Sequence, residues 1–336
     1  MHTVVLPDLA VPLAPLTTLR LGGPARRLVD AETADEVVEA LREPALVIGG
    51  GSNLVIADDG WPGTVVRIST RGRRVERRPD GSVLLTVEAG EEWDDVVAAT
   101  VADGLGGLEC LSGIPGRTGA VPVQNVGAYG VEIADALVDV DLLAGGVVRR
   151  VPAADLGLAY RTSVLKGRSD AVVLRVRIAL PGDALSAPVR YAELARALGV
   201  APGERVPAAV AREAVLALRR AKGMVLDPAD HDTWSAGSFF TNPVLATAPP
   251  GAPAWPVGDR FKVSAAWLIE HAGFRRGYPG PGGRVALSGR HVLALTHRGG
   301  GSTADLLALA AEVRDGVAAR FGVALTPEPV MVGCSL

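Results

Sequence analysis

Cysteine is nearly absent: Cys110 and Cys334 are the only two in 336 residues, far apart and outside any CxxC spacing. That excludes a disulfide framework and a thiolate zinc site, and it fits a reducing compartment. Histidine is sparse as well. His2, His231, His271, His291 and His297 fall into no ligand spacing, so no metal is expected. The apolar stretches meet a charge or a glycine well before membrane-spanning length. Residues 1–10 lack a basic segment followed by an apolar run, so no signal peptide is expected and the chain reads as cytoplasmic. The net charge of −3 gives no electrostatic reason for a nucleic-acid or acidic-membrane partner. Three common signatures are also missing: the Walker lysine loop, the G-x-S-x-G elbow and the H-E-x-x-H helix.

What is present reads as mixed α and β. The sequence is 48% hydrophobic, enough for two or three compact units. Thr33-Ala-Asp-Glu36 is a capping box that predicts a helix to about Arg42. Ala45-Leu-Val-Ile48 predicts a short buried strand. Strands are expected at 82–87, 138–143, 147–151, 171–180, 292–296 and 323–332, the last carrying Glu328. Helices are expected at 91–102, 207–221, 264–271 and 302–321, the last opened by Ser302 with Asp305 at its third position. The basic run 71–78 predicts a solvated hairpin. The Pro- and Gly-rich stretch 243–258 resembles an insertion or lid. Residues 112–130 have neither periodicity, and a loop of that length inside a compact protein points to function.

Two glycine-dense segments carry the chemistry. In Gly49-Gly50-Gly51-Ser52-Asn53-Leu54, a strand ends in glycines whose backbone N–H groups can wrap a diphosphate. No helix pattern follows, so this is not a dinucleotide fingerprint, and a plain tight turn explains it equally well. The second segment contains Ile114-Pro115-Gly116, Gly119-Ala120 and Gln124-Asn125-Val126-Gly127-Ala128-Tyr129-Gly130. Its amides, and the ring and hydroxyl of Tyr129, can line a flat heteroaromatic group and its phosphates. A structured surface loop is the simpler alternative.

Taken in order, these two segments and then Tyr160-Arg-Thr-Ser163, Arg219-Arg-Ala-Lys-Gly223, Ala236-Gly-Ser-Phe-Phe-Thr-Asn-Pro243 and Pro327-Glu-Pro-Val330 resemble the UDP-N-acetylenolpyruvoylglucosamine reductase family over nearly the whole chain. The resemblance implies an α+β fold: a two-part FAD-binding domain of the vanillyl-alcohol-oxidase type plus a smaller α+β substrate-binding domain. The implied division is 1–215 for FAD (subdomains of about 1–68 and 69–215, with 322–336 returning to it) and 216–321 for substrate. It also implies non-covalent FAD, NADPH as co-substrate, UDP-N-acetylglucosamine enolpyruvate as substrate, and a monomer.

The family reaction needs a cation over developing negative charge, a group to hold the enolate and a proton donor. By resemblance these are Arg161, Glu328 and Ser238. Taken alone, they read equally as a surface ion pair, a solvated turn residue and a turn or cap serine. FAD is expected on Gly49 to Leu54, on Ile114, Pro115, Gly116, Gly119 and Ala120, and on Gln124, Asn125, Gly127, Ala128, Tyr129 and Gly130. Substrate is expected on Tyr129, Tyr191, Arg219, Lys222 and Asn242. Tyr191 matches the loop tyrosine of type I members. Thr118 departs from the small apolar or serine residues common in this loop. Two other readings remain: a sugar or lactone oxidase of the same fold, disfavoured by Ser52 where many carry a flavin-linked histidine, and a nucleotide-binding regulator without turnover.

Overall fold

The computed structural model describes the backbone of His2–Val4 and residues 10–336. Met1 and residues 5–9, most of the stretch read for a signal pattern, lie outside the described residues. The chain forms two compact units. The first gathers the N-terminal strand, Arg26–Gly50 and Gly63–Ala221; the second gathers Val11–Ala25, Gly51–Pro62 and Lys222–Leu336.

In the first unit, helix α1 (Ala34–Ala40) begins at the expected capping box. The Glu36 N–H donates to Thr33 Oγ1 at 3.2 Å, and the Thr33 N–H donates back to Glu36 Oε2 at 3.3 Å. One sheet runs in the order His2–Val4, Pro24–Ala31, Trp61–Ile68, Ala45–Ile48. A second, fully antiparallel sheet runs Val147–Pro152, Leu137–Ala144, Ala171–Leu180, Val83–Glu88, Arg73–Arg77. Its central strands alternate. Val83, Leu85 and Val87 are buried with Val176 and Ile178, against Trp93 and Val97 of helix α2 (Trp93–Ala102) and Val215 of helix α4 (Ala208–Ala221). Helix α3 (Ala192–Leu198) adds Leu194 to this core. The basic run forms the exposed edge strand Arg73–Arg77, where arginines blunt an open edge.

In the second unit, helices α5 (Ala265–His271) and α6 (Thr303–Phe321) pack Leu268, Ile269, Leu306, Leu309 and Val313 onto Phe239 and Phe240. The capping box at Ser302 and Asp305 forms as expected. Asp58 adds to it by accepting from the Thr303 and Ala304 N–H groups at 2.7 and 2.9 Å, a carboxylate at a helix N-terminus. The stretch read as a lid supplies Val244–Leu245 and Ala254–Val257, which pair with Arg260–Val263 in a three-stranded sheet. The expected strand at 292–296 is shorter and later, Leu295–His297, because Ala294 closes a turn on His291. The expected strand 323–332 is reduced to Val330–Val332, parallel to Leu54–Ile56. Pro327 and Pro329 have no N–H to give a ladder, so Glu328 lies in irregular chain.

Candidate active site

In the first unit the two glycine-dense loops meet backbone to backbone. A Cβ on Gly50 would lie 2.8 Å from the Gly116 Cα, and one on Gly49 would lie 3.2 Å from the Arg117 Cβ. At Gly50, where the neighbour is backbone, only glycine permits that approach. The second loop is pinned from several sides. The Gly116 carbonyl accepts from the Trp93 N–H at 3.0 Å, and the Gly119 N–H donates to the Ala89 carbonyl at 2.8 Å. The departure at Thr118 has a local reason: the side chain is buried and its hydroxyl donates to the Glu91 carbonyl at 3.1 Å.

The loop begins at Gly113, held by a charged pair that no short motif announces. Asp94 accepts the Gly113 N–H at 2.6 Å and a bidentate contact from Arg212 at 2.7 and 3.0 Å. Burial pushes the Asp94 carboxyl up. Arg212, the Gly113 N–H and the charge of Arg219 outweigh this and hold it below the ordinary carboxylate value. The Arg219 guanidinium donates to the Gly113 carbonyl at 3.4 Å. Burial lowers the pKa of Arg219, while Tyr129 and Asp94 raise it. Burial pushes the Tyr129 phenol up to about 12, so it stays a neutral donor.

Residues 127–132 close as a two-residue hairpin, Val131 opposite Ala128, with φ of +51° at Tyr129 and +83° at Gly130. Asn and Gly normally fill both turn positions. Here a tyrosine takes the first, and its ring stands edge-on to Tyr191 with centroids 5.5 Å apart. Tyr191 is 46% exposed and sits at the N-terminus of α3.

Arg161 stands at the tip of a turn closed by two hydrogen bonds of 3.1 Å between Ala159 and Thr162. Its φ of +54° is left-handed, a conformation costing about 1–2 kcal/mol for a residue with a Cβ. Among the described residues only Arg20, Asn125, Tyr129 and Arg161 are left-handed without being glycine, and three of these four are expected site residues. Backbone strain of this kind gathers where the surroundings over-determine it.

Three bonds stitch this turn to the second glycine-dense loop. Ser163 Oγ donates to the Val123 carbonyl at 2.6 Å, Asn125 Nδ2 donates to the Ala159 carbonyl at 3.2 Å, and Arg161 donates to the Gly127 carbonyl at 2.7 Å. A Cβ on Gly127 would sit 2.8 Å from Glu132 Cγ and 3.3 Å from the Arg161 guanidinium. Asn125 differs from expectation in one respect. Its amide also binds Glu132 at 2.7 Å and the Ala134 N–H at 3.1 Å, so its side chain is committed to the loop rather than to a ligand.

In the second unit, Ser238 precedes the fully buried Phe239. The Phe239 carbonyl accepts from the Glu328 N–H at 2.8 Å, and the Thr241 N–H donates to the Thr326 carbonyl at 3.1 Å. Ser238, Asn242 and Glu328 are therefore carried on two paired segments. Asn242 Oδ1 accepts from the Ala265 N–H at 2.9 Å, at the start of α5. Gly51 accepts from the Thr18 N–H at 3.2 Å, and Asn53 accepts from the Val330 N–H at 2.9 Å, holding the end of the first loop in this unit. Lys222 is half-buried just past the end of α4.

Residues 227–332 match the C-terminal domain of UDP-N-acetylenolpyruvoylglucosamine reductase, and residues 25–151 match an FAD binding domain. The curated UDP-N-acetylenolpyruvoylglucosamine reductase of Saccharopolyspora erythraea is 62% identical, covering 96% of this chain and 95% of the relative. The chain belongs to the UDP-N-acetylenolpyruvoylglucosamine reductase family. The Nocardia farcinica reductase is 56% identical over 97% of this chain and 90% of its own length. The crystal structure of the Thermus caldophilus reductase aligns with a TM-score of 0.68 at 26% identity, covering 96% and 98% of the two chains. The α+β class and the FAD-binding domain expected from sequence are thus features of this reductase-family chain. The Cβ-free contact of Gly50 with Gly116 fits FAD, since it leaves a wall of backbone amides where side chains would otherwise stand.

Proposed function

We propose that this chain reduces UDP-N-acetylglucosamine enolpyruvate to UDP-N-acetylmuramate, a step in building the peptidoglycan precursor. The observation that carries the proposal is the 62% identity to a named reductase across 96% of the chain. FAD held in the site would supply the hydride chemistry between NADPH and C3 of the enolpyruvyl group. The two glycine loops, residues 49–54 and 114–130, hold that cofactor without a covalent link, largely by backbone groups.

Hydride arrival at C3 leaves negative charge at C2 and on the adjoining carboxylate. Arg161 binds that carboxylate. One edge of its fork is anchored on the Gly127 carbonyl, which supports a fixed guanidinium plane for a paired carboxylate contact. Glu328 holds the enolate. A bare carboxylate there would repel it, so Glu328 acts through a hydrogen bond, either protonated itself or sharing a proton with a neighbour. Ser238 gives its hydroxyl proton to C2, which completes the lactyl ether. Arg219, Lys222 and Asn242 take the diphosphate end, with Tyr129 and Tyr191 beside it. The association of Tyr129 with both Tyr191 and Arg219 supports this grouping.

The test is NADPH oxidation by purified, FAD-loaded protein. Turnover that requires the enolpyruvyl substrate is expected. Loaded protein that oxidises NADPH equally with and without it, or not at all, would overturn the proposal.

A further inference from the structure

The chain uses lysine sparingly: of its 34 basic residues only Lys166, Lys222 and Lys262 are lysines. Lys166 follows the Arg161 turn and lies half-buried. Its ammonium donates to the Arg161 backbone carbonyl at 3.0 Å. A compact ammonium with three donors suits a single carbonyl, whereas a planar guanidinium is built for paired acceptors. The carbonyl it binds belongs to the one left-handed residue of the turn. That peptide is oriented by the unusual φ of Arg161, so a charge-assisted bond to it favours the strained geometry over the relaxed one.

The other contacts of the turn act elsewhere. Ser163 and Asn125 fasten its two flanks to the flavin loop, and Gly127 takes the guanidinium. Lys166 grips the Arg161 backbone itself, from a side chain.

We infer that Lys166 is a positioning residue for the second half-reaction: it holds the Arg161 turn in the left-handed form from which the guanidinium meets the substrate carboxylate. This rests on the role proposed for Arg161. Lys166 need not touch substrate, cofactor or the reacting atoms, and its effect passes through Arg161. Reduction of the flavin by NADPH involves no enolpyruvyl carboxylate, so it is insensitive to the lysine.

Stopped-flow measurement of both half-reactions in FAD-loaded Lys166→Met protein tests the inference. Flavin reduction by NADPH should stay within twofold of wild type. Re-oxidation by the enolpyruvyl substrate should slow at least tenfold, with the thermal midpoint unchanged. Lys166→Arg keeps a cation and should recover part of the loss. Re-oxidation at the wild-type rate in Lys166→Met would overturn the inference. So would equal slowing of both halves, or a Lys166→Arg variant as slow as Lys166→Met. Wild-type protein that fails to re-oxidise with substrate would instead remove the proposed function itself.

Discussion

Ser238 is held by its neighbours rather than by its own side chain. Gly237, with φ of +74°, turns the chain, and the buried Phe239 fixes the next residue through its N–H to the Leu293 carbonyl at 2.7 Å. A small polar residue is thereby fixed in place by backbone. Removing its hydroxyl should leave the surroundings intact, so Ser238→Ala tests proton transfer with little structural disturbance. NADPH should still bleach the flavin at the wild-type rate. Re-oxidation by substrate should slow by about 10²–10⁴, the usual contribution of a positioned acid. Stopped-flow absorbance separates the halves, and equal slowing of both would deny Ser238 a proton role. The sequence motif around Ser238 was legible. The companion of Arg161 was not: Lys166 stands outside the motif residues, and its value comes from a turn whose left-handed residue no spacing reveals.

Between elements, the charged pair of Asp94 on α2 and Arg212 on α4 ties two helices to the start of the second glycine-dense loop at Gly113. The folded pKa of Asp94 lies below its unfolded value of about 4. Its contribution to stability is therefore full above pH 4 and is lost as pH falls through the folded value. Asp94→Asn should lower the melting temperature at pH 7 and make its decline below pH 4 shallower, as calorimetry across pH 2–7 would reveal. The hairpin at 127–132 makes a sharper prediction. Gly127→Ala puts a methyl against Glu132 and the Arg161 guanidinium. The KM for the enolpyruvyl substrate should rise at least tenfold in steady-state assays of FAD-loaded protein.

Much of this layer could be read in advance. The capping boxes at Thr33 and Ser302 and the successive strands expected at 138–143 and 147–151 are local, since each is specified by residues within a few positions. The terminal strand failed because two prolines outweighed apolar alternation. The Asp94–Arg212 tie was hidden because its partners lie 118 residues apart.

For the molecule as a whole, the FAD-binding domain match and the absence of a histidine in the first loop both bear on how the flavin is kept. Acid precipitation should leave all flavin in the supernatant. Yellow colour retained in the pellet would indicate a covalent bond and favour the oxidase-like alternative. The division of the chain into units could not be read from sequence order, since each unit is assembled from separated stretches.

The second unit's parallel pair of Leu54–Ile56 with Val330–Val332 sets a timetable for biosynthesis. Cys334 Sγ donates to the Val55 carbonyl at 3.4 Å across 279 residues of chain. At about 5–20 residues per second, a ribosome needs roughly 15–55 s to cover that interval. Val55 and Ile56, wholly covered in the finished protein, thus gain their partner strand only after that interval. Until then the ladder groups of Leu54–Ile56 wait for a strand that has yet to be made.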